Sequence, residues 1–287
     1  MAVSLVPLVE RLGRASLLRS GHRTRHVATP AGPMHVYDAR GRGSLPTTVM
    51  LHGIGSNATS FAPMLRYFQR RTRRIVALEY PGHGFSGQAS GRLTPDALFD
   101  AVTHALDEVL EEPAVLFGNS LGGAVALHYA IARPSRVRAL VLVSPAGARL
   151  TDDEMRTLVE SFSMRTRGDA LKFLARIYHR VPRWWPLLAH ELLDVLGKPA
   201  VREILETATV DHAPLASELR ALTMPILFLW GSSERLFPES ALDYFRENLP
   251  PHAIIERPDG CGHSPHLEKP RLLMERIDRF LRELPRS

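Results

Sequence analysis

Gly118-Asn119-Ser120-Leu121-Gly122 lies between the short apolar run Ala114-Val115-Leu116-Phe117 and the alanine-rich stretch Gly123-Ala124-Val125-Ala126-Leu127-His128-Tyr129-Ala130. The run reads as a buried strand and the stretch as a helix, so the serine falls at a strand-to-helix junction. With a glycine two positions away on each side, this spacing predicts a nucleophile elbow. The neighbours must lack side chains because strand and helix nearly touch there, and the tight turn strains the serine backbone. The strain lifts the hydroxyl clear of the sheet and sets it at the positive end of the next helix.

A serine alone is a poor nucleophile, so a base and an orienting acid should follow it in the chain. Near the end stands Asp259-Gly260-Cys261-Gly262-His263-Ser264-Pro265-His266, a glycine-flanked turn after the apolar stretch Ala253-Ile254-Ile255. His263 is the candidate base. Between the two lies Pro225-Ile226-Leu227-Phe228-Leu229-Trp230-Gly231-Ser232-Ser233-Glu234, a buried strand ending in glycine and then a loop with one carboxylate. Glu234 is the candidate acid. Nucleophile, acid and histidine thus occur in the chain order of a hydrolase built on a strand–turn–helix elbow.

These residues, with His52-Gly53-Ile54-Gly55 and Tyr80-Pro81-Gly82-His83-Gly84-Phe85-Ser86, resemble the α/β-hydrolase superfamily from about residue 30 to residue 284. The nearest likeness is to its capped lipase, esterase and carbon–carbon-bond hydrolase branch. The resemblance implies a mostly parallel, twisted α/β sheet with helices on both faces and a helical cap inserted after the sixth strand. It also implies that the backbone amides of Ile54 and Leu121 form an oxyanion hole. The chain departs from the family in placing Glu234 where Asp is usual, and the extra methylene calls for a slightly different loop.

The remaining pattern alternates strand and helix. Met34-His35-Val36-Tyr37 reads as an early antiparallel strand, and Thr48–Leu51 and 75–78 as short buried strands bracketing a helix near 60–69. Thr94-Pro95 opens another helix, and Val137–Val143 is the strand after the elbow helix. From Ser144 to Pro225 the chain then runs for roughly 80 residues without a sheet strand, whereas a crossover needs about a dozen. This segment reads as amphipathic helices at 153–162, 169–179, 185–196 and 199–207. The expected organisation is an N-terminal amphipathic segment (1–24), a core (25–144 and 222–287) and a cap (145–221). A cap excludes water and shapes the pocket. Phe162, Met164, Phe173, Trp184, Trp185 and Leu188 are its candidate pocket walls, though each taken singly reads equally as cap core. As a group they favour an apolar acyl or alkyl substrate.

Composition bounds the alternatives. The chain has 287 residues, of which 45% are hydrophobic, enough for a sizeable core. Its net charge of +6 comes from scattered arginines, without the basic patch or module that nucleic acid requires. The single cysteine, Cys261, rules out an internal disulfide. Despite 13 histidines there is no His-Glu-x-x-His and no zinc-spaced cysteine pair, and no phosphate-binding glycine loop either. No metal and no cofactor are therefore expected. His52 and His83 read as structural histidines in turns, and His266 as the start of the C-terminal helix on a different face.

Residues 3–18 are apolar and arginine-bearing but lack the charge order and cleavage site of a secretory signal. They read as a helix packed on the body, with an amphipathic helix lying on an anionic membrane as the alternative. A cytoplasmic protein, peripheral to a membrane in the second case, is the corresponding expectation. The leading function is hydrolysis of a small-molecule ester or lipid. The alternatives are cleavage of carbon–carbon bonds in ring-cleavage diketones, lowered by Ser264 standing where that branch commonly has an aromatic residue, and a non-catalytic ligand receptor on the same fold. Oligomeric state is not legible.

Overall fold

Short runs of Val, Ile, Leu and Ala with no polar alternation can form strands only where both faces of a sheet are covered. In the computed structural model, which describes residues 5–285, eight strands make one sheet, with the apolar runs at its centre. They are β1 (Arg23–Val27), β2 (Met34–Arg40), β3 (Thr48–Leu51), β4 (Arg74–Glu79), β5 (Ala114–Asn119), β6 (Val137–Val143), β7 (Ile226–Leu229) and β8 (Ile254–Glu256). The order across the sheet is β1-β2-β4-β3-β5-β6-β7-β8. β2 pairs antiparallel with both β1 and β4, and every pairing from β4 to β8 is parallel. The early strand expected at Met34 is thus antiparallel, as read.

The helices before the sixth-strand crossover are α1 (Leu5–Arg19), α2 (Ala62–Gln69), α3 (Pro95–Val109) and α4 (Leu121–Ala132). Between β6 and β7 come α5 (Asp152–Ser161), α6 (Arg167–Ile177), α7 (Trp185–Leu188), α8 (Glu191–Leu196), α9 (Pro199–Thr207) and α10 (Ala216–Arg220). The last three are α11 (Glu239–Asn248), α12 (Pro265–Glu268) and α13 (Pro270–Glu283). Thr94 caps α3 as its sequence requires, its hydroxyl accepting from the Ala97 amide at 3.2 Å.

The period-two alternation of strand side chains divides the core into two layers. Val49, Leu51, Leu116 and Leu142 pack with α3, α4 and α11 on one face. Met50, Val115, Phe117 and Val141 pack with α2, α13 and Leu17 of α1 on the other. Parallel strands therefore end together, and the carboxyl ends of β3, β5, β6, β7 and β8 bring their following loops to one edge. That edge carries every candidate site residue.

The segment between β6 and β7 forms helices where expected, with one correction. The stretch read as a single helix at 185–196 is broken at Ala189-His190 into α7 and α8. Capping boxes at Thr151/Glu154 and Thr166/Asp169 start α5 and α6 slightly earlier than the apolar periodicity does. The helix α1 packs on α2 through buried Leu17. Its first amides, Leu5 N and Val6 N, donate to the Glu191 carboxylate of α8 at 2.9 and 2.7 Å. A carboxylate at a helix start satisfies donors that have no acceptor within the helix. The segment is thus a helix packed on the body.

Candidate active site

Ser120 sits between β5 and α4 at φ 55° and ψ −122°, a conformation that L side chains rarely adopt. Its amide is held by the Val143 carbonyl at 3.1 Å, and its own carbonyl accepts from Gly123 and Ala146 at 2.8 and 3.0 Å. The glycines explain how the chain tolerates this. A Cβ at Gly118 would lie 2.2 Å from the Gly122 oxygen, and one at Gly122 would lie 2.1 Å from the Leu51 oxygen. The elbow is therefore a contact of three backbones, β3, β5 and α4, with no room for a methyl group.

His263 and Glu234 meet behind the serine. The two are buried, and His263 Nδ1 lies 2.7 Å from Glu234 Oε2. Burial on its own would raise the Glu234 carboxyl, but the His263 charge and hydrogen bond, the nearby Ser144 hydroxyl and the Leu236 amide outweigh it and hold the carboxyl below its ordinary value. The Leu236 and Phe237 amides donate to Oε1 at 2.8 and 3.3 Å, which fixes the longer side chain in its loop. Ser144, at φ 39° at the end of β6, is fully buried beside this carboxylate without a partner at good hydrogen-bond geometry. Phe237 packs edge-on against the imidazole at 5.1 Å.

Asn119, next to the serine, contributes in a way that the elbow motif does not reveal. Its side-chain amide donates to the carbonyls of Val143 at 3.0 Å and His263 at 3.1 Å, tying the histidine loop to the elbow. Glu268 makes a second tie. Its carboxylate accepts from the amides of Gly262 at 2.7 Å and His179 at 2.6 Å, joining the histidine loop to the end of α6. A Cβ at Gly262 would lie 2.7 Å from the Ile177 oxygen, so glycine is required at this junction.

The loop after β3 passes close to the serine: a Cβ at Gly53 would lie 3.3 Å from Ser120 Cβ. Ile54 and Leu121, the two candidate oxyanion donors, therefore flank Ser120, and Leu121 opens α4, where an amide has no intrahelical acceptor. His52 supports this loop. Its Nδ1 donates to the Gly53 oxygen at 2.8 Å, and its Nε2 accepts from the Tyr80 amide at 3.4 Å. Complete burial pushes its pKa down to about 3, so it is a neutral structural group, as read. Burial likewise pushes His83 down to about 4, and its Nδ1 faces the Pro81 oxygen at 3.1 Å.

His266 departs from the expectation. It lies in the short helix α12, not at the start of α13, and it borders the same cavity as His263. The Pro265 turn swings it inward onto Phe61, 4.8 Å between ring centres, and burial pushes its pKa down to about 3.

Two cavities open on Ser120. The larger, about 390 Å³, is lined by Phe162, Phe173, Trp184, Trp185, His263 and, unexpectedly, Val6, Val9 and Glu10 of α1. The smaller, about 130 Å³, is walled almost wholly by apolar side chains, among them Leu121, Leu158, Phe162 and Ile204. Four of the six candidate pocket residues thus line a cavity. Met164 does not: it packs into the small apolar clusters among the helices between β6 and β7, with Phe173 and Leu174. The Leu188 side chain lies outside the described residues. Among the described residues, no group of three or more His, Cys, Asp or Glu side chains could hold a metal ion.

Comparison with known proteins agrees with this architecture. Residues 48–276 match the family described as the alpha/beta hydrolase family. A pimeloyl-(acyl-carrier protein) methyl ester esterase of Xanthomonas oryzae pv. oryzae is 30% identical over 264 residues, 88% of this chain and 100% of that protein. Among solved structures, carboxylesterase CesB of Bacillus subtilis superposes with a TM-score of 0.74 at 20% identity, over 95% of this chain and 98% of that one. A membrane phospholipase A, a bacterial virulence factor, reaches a TM-score of 0.80 at 24% identity, over 98% and 93%. At such identities the two structures speak for the fold. The family match, spanning all but α1, the first two strands of the sheet and the end of α13, settles membership: the chain belongs to the alpha/beta hydrolase family.

Proposed function

We propose that this protein is a serine hydrolase of carboxylic esters with apolar acyl chains, working through an acyl-enzyme. The observation that carries the proposal is the buried 2.7 Å contact of His263 Nδ1 with Glu234, on the wall of a cavity that Ser120 shares. With Nδ1–H given to the carboxylate, Nε2 is the free base. It takes the proton of Ser120 as the serine oxygen attacks the ester carbonyl. The amides of Ile54 and Leu121 receive the charge that develops on the carbonyl oxygen. His263 hands its proton to the departing alcohol, then takes one from a water that attacks the acyl-enzyme. The acid leaves and Ser120 is restored. Glu234 keeps the imidazole in one tautomer and stabilises its charged form.

Residues 145–221 act as a cap in this reading, and 25–144 with 222–287 as the core. The cap covers both cavities over the serine and shields the reacting centre from bulk solvent. The smaller cavity suits an acyl chain, since its walls offer almost no hydrogen bonds. The name of the 30% identical relative points to the methyl ester of a pimeloyl group on an acyl-carrier protein as one substrate to try.

The experiment is an initial-rate series on p-nitrophenyl esters from acetate to palmitate, with Ser120→Ala in parallel. Turnover with a chain-length optimum, absent in the variant, is expected. No turnover on any ester would end the esterase reading and leave carbon–carbon-bond cleavage or a silent ligand receptor.

A further inference from the structure

The outer face of α1 is the wrong way round for a surface helix. Leu5, Leu8, Val9 and Leu12, spaced i, i+3, i+4 and i+7, are 42%, 45%, 62% and 59% exposed. That spacing makes one stripe on one side of a helix. The inward side is already satisfied by Leu17 on the core and by Glu10, whose carboxylate accepts from Asn57 Nδ2 at 2.8 Å. The stripe is thus surplus to folding. Exposed contiguous apolar surface of this kind marks an interaction site.

Its position is specific. Val9 lies both on the stripe and in the wall of the larger cavity, whose lining also includes the exposed Trp184 and Leu267. The apolar stripe is therefore continuous with the mouth of the cavity that leads to Ser120. Its charges have one sign: Arg11 and Arg19 are exposed beside the stripe, whereas Glu10, the helix's one acidic residue, is turned inward. Trp184 is preceded by exposed Arg183. Apolar side chains flanked by cations, with a tryptophan at the edge, are what an interfacial helix presents to an anionic bilayer.

We propose that α1 docks on the surface of an anionic phospholipid membrane, burying Leu5, Leu8, Val9 and Leu12, so that an ester leaves the bilayer directly into the larger cavity. The route of the ester rests on the hydrolase reading above; the docking does not.

The test uses the full chain with vesicles of phosphatidylcholine alone and of phosphatidylcholine mixed with phosphatidylglycerol, read by co-sedimentation. Leu8 and Leu12 line neither cavity, so Leu8→Glu/Leu12→Glu is the variant of choice. Wild type should partition onto the anionic vesicles, and the double variant at least about tenfold more weakly. Arg11→Glu/Arg19→Glu should lose the preference for anionic lipid by a similar factor of about ten. Hydrolysis of p-nitrophenyl butyrate without vesicles should be unchanged in both variants, which separates this proposal from the esterase reading. Wild type that stays in the supernatant, or a double variant that binds as wild type does, overturns the docking. So does a dimer in sedimentation velocity that Leu8→Glu/Leu12→Glu dissolves while no vesicle binds, since a second copy would then cover the stripe.

Discussion

Replacing Glu234 by Gln changes one heavy atom and forces a choice that the geometry makes explicit. One carboxylate oxygen faces His263 Nδ1 at 2.7 Å, and the other accepts from the Leu236 and Phe237 amides at 2.8 and 3.3 Å. Every neighbour is a donor, so the new NH2 must face one of them. Turned toward the backbone amides, it leaves buried donors unpaired, at about 1–3 kcal/mol each. The histidine then keeps its tautomer and turnover falls little. Turned toward His263, it makes Nδ1 an acceptor and moves the proton to Nε2, the atom that must take the proton from Ser120. Stability is then nearly kept, and kcat falls on the order of 10³–10⁴-fold. The second arrangement breaks fewer bonds and is the expected one. The assay is kcat on p-nitrophenyl butyrate beside urea unfolding of the same preparation. A variant within about twofold of wild type in rate and within about 0.5 kcal/mol in stability would refute the reasoning, because neither arrangement permits both.

Three further outcomes follow from features of the elbow and its supports. Ser120→Gly removes the side chain from φ 55°, so unfolding experiments should show a gain of about 1 kcal/mol as turnover disappears; a loss of stability would mean the backbone is not strained. Gly122→Ala places a methyl 2.1 Å from the Leu51 oxygen and should cost about 3 kcal/mol or more, seen as a lowered melting temperature or loss of soluble protein. On acidification, His52, His83 and His266 stay neutral in the fold to about pH 3–4, whereas their unfolded counterparts take up protons below about pH 6.5. Stability should therefore fall as pH drops, by about 4 kcal/mol from these three between about pH 7.5 and 5.5, and His266→Asn should lessen that loss by about 1.4 kcal/mol. Urea titrations at the two pH values check this, and a rise on acidification would contradict it.

The parts of the fold and site that the sequence exposes are those written locally. Buried parallel strands are uninterrupted apolar runs, and the elbow, the acid loop and the histidine turn each carry glycines within a few positions of the candidate residue. The ties that complete the site are not local. Asn119 reaches the His263 carbonyl across 144 positions, and Glu268 reaches His179 across 89, with nothing in either neighbourhood to announce the partner. His266 does not start the C-terminal helix because the chain breaks at Lys269, which leaves Pro265–Glu268 as a short helix of its own. For residues 3–18 the sequence leaves a packed helix and a membrane-facing one both open, because they hold enough apolar side chains for two faces and a sequence does not say which one is taken. Met164 shows the limit of counting aromatic and long apolar residues as pocket walls, since a helical layer needs a core of its own.

The bridge from Glu268 to Gly262 and His179 bears on how such a protein can be changed. Helices between β6 and β7 look like an exchangeable module, joined to the sheet only at their two ends. Here the module is also fastened in its middle to the turn that carries His263, through a carboxylate and a glycine that tolerates no side chain. A transplanted segment that lacks a backbone amide at the His179 position would leave one Glu268 oxygen without its donor beside the histidine turn. Substrate range in this chain is therefore more readily altered by replacing single residues along the two cavities than by grafting, and any graft has to be designed together with residues 260–268.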